Sequence, residues 1–89
     1  MDRGNCLERG KVVVVEDDPD IQVVVGGILR EAGFGIHAFG HGQAGVAAVD
    51  QHKPEVVVVD LGLPDIDGFE VTRRIRAFSN AYILILTAS

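Results

Sequence analysis

The chain has 89 residues, enough for one small domain. Its formal net charge is −5, with 13 acidic against 8 basic residues, which argues against a surface that grips DNA or RNA. The lone cysteine, Cys6, excludes an internal disulfide; the opening MDRGNCLERG lacks the apolar core of a signal peptide, and no apolar run approaches the length of a membrane span. These features predict a soluble, cytoplasmic domain without membrane or nucleic-acid contacts of its own. Residues 1–10 read as a flexible leader and 11–89 as the folded unit.

Three apolar runs, at 12–15, 56–59 and 82–86, are rich in β-branched residues and do not alternate with polar ones. That pattern suits strands buried on both faces of a parallel sheet. The stretch FGIHAF (34–39), interrupted by Gly35 and His37, predicts a weaker strand at an edge. Between the first two strands, 19–32 reads as a helix. Asp18 is a good N-cap, Pro19 fits the first helical position, and Asp20 faces the positive helix end. Ile21, Val24, Val25, Ile28, Leu29 and Ala32 form its apolar stripe. Gly26 and Gly27 read as points of close packing on the sheet, and Gly33 as the stop. A short helix follows at 43–52. A third, at 68–78, opens on Asp67 with Glu70 three places later, a capping-box-like start, and carries Val71, Ile75 and Phe78 on its apolar side. The element order is βαβαβαβ, which predicts an α/β fold: an open parallel sheet with helices on both faces.

In EVVVVDLGLPDIDG (55–68), four valines run unbroken into Asp60. An isolated buried charge is costly, so a carboxylate there needs a reason. In open α/β sheets the functional crevice lies beyond the carboxyl ends of the strands. The first strand ends in Glu16, Asp17 and Asp18, the third in Asp60. If those strands are neighbours, Glu16, Asp17 and Asp60 converge. Mutual repulsion would raise at least one pKa, and a hard cation such as Mg2+, which accepts one or two carboxylates and keeps positions for phosphate oxygens, would relieve it. For Asp18 and Asp67 capping is the simpler role, and Asp65 reads as solvated.

The segments VVVVEDDPDI (12–21), VVVVDLGLPDIDGFE (56–70) and ILILTAS (83–89) resemble the receiver domain of two-component response regulators over nearly the whole chain, from about Lys11 to Ser89. The resemblance implies a flavodoxin-like sheet of order 2-1-3-4 over this length. It implies Asp60 as phospho-acceptor, Glu16 and Asp17 as the metal-binding pair, and Gly62 as the donor of a backbone carbonyl to the same Mg2+. Thr87 matches the switch hydroxyl and Ala88 the small residue beside it; Pro64 and Gly68 match the loop's turn residues. The implied phosphoryl donor is a phosphohistidine on a sensor histidine kinase. Receivers with this EDDP start and DxGLPDIDG loop are often joined to winged-helix DNA-binding domains, so a DNA-binding output domain in a longer parent protein is an expectation too. The family also has a fifth strand with an aromatic switch residue, and a lysine that contacts the phosphoryl group. The sequence ends at Ser89, and Lys11 and Lys53 lie in the wrong places for that lysine. The expectation is therefore a receiver truncated after strand four, with phosphorylation slowed or absent and a bare apolar edge at 82–86 through which copies could associate. Glycine at 62 cannot shield a phosphoryl group from water, so a short-lived acyl phosphate is expected.

Three rival readings follow from the residues. GHGQAG (40–45) is a formal G-x-G-x-x-G before a helix, which would make this a dinucleotide-binding βαβ fragment, but the preceding strand is polar-interrupted and Glu16 and Asp17 go unexplained. DIDG (65–68) fails as a calcium loop, because the first ligand position would be Leu63 and the twelfth Arg74. A receiver-like module that binds a partner without being phosphorylated is the third. His37, His41 and His52 lack metal-ligand spacing, and Arg73, Arg74 and Arg76 read as a solvated helix face.

Overall fold

The computed structural model describes residues 9–86. The three apolar runs and the weaker stretch each form a strand: β1 (Lys11–Val15), β2 (Gly35–Phe39), β3 (Val56–Asp60) and β4 (Tyr82–Leu86). The helices between them are α1 (Pro19–Glu31), α2 (Gly42–His52) and α3 (Gly68–Arg76). All strand pairs are parallel and the order is β2-β1-β3-β4. The two valine runs therefore lie side by side at the centre, Val12 against Val56 through Val15 against Val59. β2 takes the edge position its composition predicts.

The sheet buries valines on both faces. Val13, Val15, Val57 and Val59 pack with Ala48 and Val49 of α2 and Val71 and Ile75 of α3. Val12, Val14 and Val58 face the other side, where Val25 and Leu29 of α1 cover them. Helices thus lie on both faces, and no side chain of the central valines from Val12 to Val15 touches solvent.

The predicted caps of α1 and α3 form. Asp18 accepts the Asp20 and Ile21 N–H groups at 2.9 and 3.4 Å. Asp67 accepts the Glu70 N–H at 2.9 Å, but Glu70 does not reach back to complete a capping box. Its carboxylate turns instead to Arg73 and Arg74, at 2.6 and 2.8 Å, so two of the three arginines on that solvated face are engaged in ion pairs.

Other expectations need correcting. Only Val25 and Leu29 of the α1 stripe pack on the sheet; Val24 and Ile28 are 60% and 64% exposed, because the helix lies on the sheet along a narrower line than its composition allows. Gly26 and Gly27 are not close-packing points. A methyl group at Gly26 would meet neighbours no closer than 3.6 Å, and at Gly27 none within 4 Å. α3 ends at Arg76, so Phe78 falls beyond it and is exposed. Of the leader, Met1–Glu8 lies outside the described residues; Arg9 donates its N–H to the Gly33 carbonyl, and Gly10 accepts the Gly35 N–H.

Candidate phosphoryl-transfer and metal site

β1 and β3 end at the same edge of the sheet, so the residues that follow them meet. Glu16, Asp17 and Asp60 each offer a carboxylate oxygen, and these oxygens lie within 4.8 Å of one another. Glu16 and Asp60 are buried, 2% and 5% exposed, while Asp17 opens to solvent. Three sequence-predicted ligands thus converge as the strand order requires.

The two buried carboxylates differ in how they are satisfied. Glu16 Oε2 accepts the Asp18 N–H at 3.0 Å. Its own N–H donates to the Phe39 carbonyl, and its carbonyl accepts from the Gln22 side chain. Burial pushes its carboxyl above the ordinary 4.5; the Asp18 N–H opposes that, and the charges of Asp60 and Asp17 reinforce it. Asp60 Oδ1 is buried and, among the described residues, has no hydrogen-bond partner. A buried polar atom left unpaired is costly and calls for a ligand or ion. An all-oxygen set of three acids with one bare, buried oxygen fits a hard divalent cation of the Mg2+ class. Gly62 lies two residues beyond Asp60 and is exposed; a methyl group there would lie 3.7 Å from Asp60 Oδ2.

The loop after Asp60 is shaped by contacts that the sequence does not advertise. Gly68 starts α3 directly against the β3 backbone: a methyl group there would lie 2.6 Å from the Asp60 carbonyl oxygen and 2.9 Å from Leu61 Cα. Its N–H donates to the Leu61 carbonyl at 3.2 Å. Asp65 is exposed, as its solvated reading has it, but it is not idle. Its Oδ1 accepts the Gly42 N–H at 2.7 Å and its Oδ2 the Gln43 N–H at 2.9 Å, capping α2 from another part of the chain. The signal that could have flagged it is negative: His41, at the N-cap of α2, makes no side-chain cap.

These contacts also dispose of the dinucleotide reading. Phosphate binding at G-x-G-x-x-G needs free N–H groups at the helix N-terminus. Here Gly42 and Gln43 already donate to the chain's own carboxylate. Two of its glycines, Gly42 and Gly45, serve packing instead. A methyl group at Gly42 would lie 2.5 Å from Ile66, and one at Gly45 2.5 Å from Val15. His37 and His52 stack at 3.9 Å between centroids, with planes 13° apart. Stacked rings keep their lone pairs in separate, nearly parallel planes, a poor chelate. Thr87 and Ala88 lie outside the described residues.

Comparison with known proteins agrees with this geometry. The model of the response regulator receiver domain matches residues 12–89. The DNA-binding response regulator MtrA of Mycolicibacterium smegmatis is 38% identical over 80 residues, covering 90% of this chain and 35% of that protein. Regulatory protein VanRc of Enterococcus gallinarum is 36% identical over 78 residues, 88% of this chain and 34% of its own length. Among solved structures, the BeF3-activated N-terminal receiver domain of Klebsiella pneumoniae RstA superposes with a TM-score of 0.83 at 28% identity, covering 89% of this chain and 68% of that one. The fold and site define a signalling receiver, and the chain belongs to the response regulator receiver domain family. It spans about a third of the length of these curated relatives.

Proposed function

We propose that the chain is a phospho-acceptor receiver in which Asp60 takes a phosphoryl group from a phosphohistidine of a sensor histidine kinase, with Mg2+ as cofactor. The observation that carries this reading is the bare, buried Oδ1 of Asp60 inside a cluster of three carboxylates. A carboxylate oxygen of Asp60 attacks phosphorus; the P–O bond of an acyl phosphate forms as the P–N bond to the imidazole breaks, and the histidine leaves with the bonding electron pair. Such transfer needs in-line placement and charge neutralisation more than covalent help. Burial at the end of a rigid central strand supplies the placement. Glu16, Asp17, Asp60 and the Gly62 carbonyl would hold Mg2+, which supplies neutralisation of the oxygens gathered around the transferred group. Leu86 pairs with Asp60 in register and Thr87 follows it in sequence, which supports Thr87 as the switch hydroxyl with Ala88 beside it.

The longer regulator to which relatives of this kind belong would act in the cytoplasm and pass the signal to a DNA-binding output domain. No described helix is long and apolar enough to cross a membrane. A separate proposal concerns β4. It is the edge of the sheet among the described residues, with Tyr82 77% and Leu84 55% exposed, and we expect this 89-residue chain to self-associate through 82–86. Sedimentation that stays monomeric at high concentration refutes that.

The test of the phospho-acceptor reading is intact mass after incubation with Mg2+ and acetyl phosphate. A gain of one phosphoryl group, absent from Asp60→Asn and absent without Mg2+, is the expected result. A gain that survives in Asp60→Asn rejects Asp60 as the acceptor. If Gly62 leaves the acyl phosphate open to water, Gly62→Arg slows its hydrolysis.

A further inference from the structure

Asp60 and its acids account for the chemistry, but not for what holds the loop that carries Gly62. Gly62 is exposed and has no side chain to anchor it, and glycine has the widest backbone freedom of any residue. The position of its carbonyl therefore depends on where the following residues are fastened. Two of them sit on the first turn of α2. Asp65 spends both carboxylate oxygens there, on N–H groups 23 and 22 residues away in sequence. Ile66 fills the space that any side chain at Gly42 would need. Among the described residues, no other side-chain hydrogen bond ties residues 61–67 to an element other than the helix they lead into.

On the reading of Asp60 as a metal-assisted phospho-acceptor, we propose that Asp65 is a positioning residue of the site: it clamps the 61–67 loop to the N-terminal turn of α2 and so fixes the path of the backbone that carries the Gly62 carbonyl. The two bonds are charge-assisted and aimed along the positive end of the helix, a strong combination. The Gln43 N–H above all holds the Asp65 carboxyl well below its ordinary value, at about 2, so the clamp is ionised and engaged throughout the physiological range. Without it, cation binding would have to order the loop as well as occupy the acids, and its apparent affinity would fall by the fraction of time the loop is in place.

The test compares Asp65→Ala with Val49→Ala, which truncates a buried residue of α2 outside the loop and the acidic cluster and serves as a stability control. Two quantities are measured on each protein: backbone 15N order parameters without metal, and Mg2+ affinity followed by amide shifts. Asp65→Ala is expected to loosen the Gly62 and Leu63 amides and to weaken Mg2+ binding about five- to tenfold, the scale of losing one strong cap. Val49→Ala should lower the melting temperature at least as much and change neither quantity. Asp65→Asn, which keeps one acceptor oxygen, should fall between. An Asp65→Ala protein that melts earlier but keeps parental order at Gly62 and parental Mg2+ affinity overturns the proposal and leaves the phospho-acceptor reading standing. A parent protein that itself takes up no Mg2+ overturns both.

Discussion

β1 and β3 face the same problem side by side. Each is a run of buried valines that ends in a buried carboxylate, Glu16 on one and Asp60 on the other. At the β1 end the backbone provides for the acid: the Asp18 N–H donates to Glu16, and the residue's own amide groups are taken by Phe39 and Gln22. At the β3 end one oxygen of Asp60 has no partner among the described residues. The two acids share sheet, depth and neighbours, so burial alone does not separate them. What separates them is that the turn after Glu16 folds back over it within two residues, whereas the loop after Asp60 is drawn away to α2 by Asp65 and Ile66. A strand-end acid wrapped by its own turn is satisfied close at hand; one whose loop is drawn away is not.

The largest expected effect breaks the β3 end. Gly68→Ala drives a methyl group into the backbone of Asp60 and Leu61, which cannot rotate away, and should destabilise by about 3 kcal/mol and lower Mg2+ uptake. Gly45→Ala does the same at the β1 end, but against the side chain of Val15; chemical denaturation should show a smaller loss, about 2 kcal/mol. If the two losses came out reversed, the closeness of the β3 end would be wrong.

Neutralising the acids sharpens the contrast. Without divalent ions, Asp60→Asn removes a like charge and supplies a donor to the bare end of the site, so it should stabilise by on the order of 1 kcal/mol. Added Mg2+ should raise the melting temperature of the parent but not of the variant. Glu16→Gln should stabilise less, because Glu16 already has its N–H partner. The folded carboxyl of Glu16 lies above 4.5, so its ionised form is disfavoured at pH 7 and the cost fades as pH falls through that raised value. The advantage of the Gln variant should therefore be greatest above the raised folded pKa and fade as pH falls toward the ordinary 4.5, read from melts across pH. The smallest effect lies away from both strand ends. Gly27 meets open space, so Gly27→Ala should stabilise α1 by about 0.5–1 kcal/mol, with phosphorylation unchanged.

The sequence by itself determined what is local. Valine runs too apolar for a one-sided strand had to be buried on both faces. Asp18 before Pro19, and Asp67 at the start of α3, could find their N–H partners within three residues. Once alternation of strand and helix implied a parallel sheet, the acids at two strand ends were bound to share an edge if β1 and β3 were neighbours, and they are. Tertiary structure alone decided the rest. Asp65 looks like any loop acid until the fold brings Gly42 and Gln43, 23 and 22 residues earlier, to its two oxygens. Gly45 and Gly68 owe their residue type to what lies opposite them, and Gly27 has nothing opposite at all. The α1 stripe carries the period of a buried helix, yet most of it meets solvent. Propensity and capping depend on a few consecutive residues, whereas close approach and cross-chain hydrogen bonds depend on how whole elements are set against one another. That setting makes a capped carboxylate of Glu16 and leaves Asp60 bare.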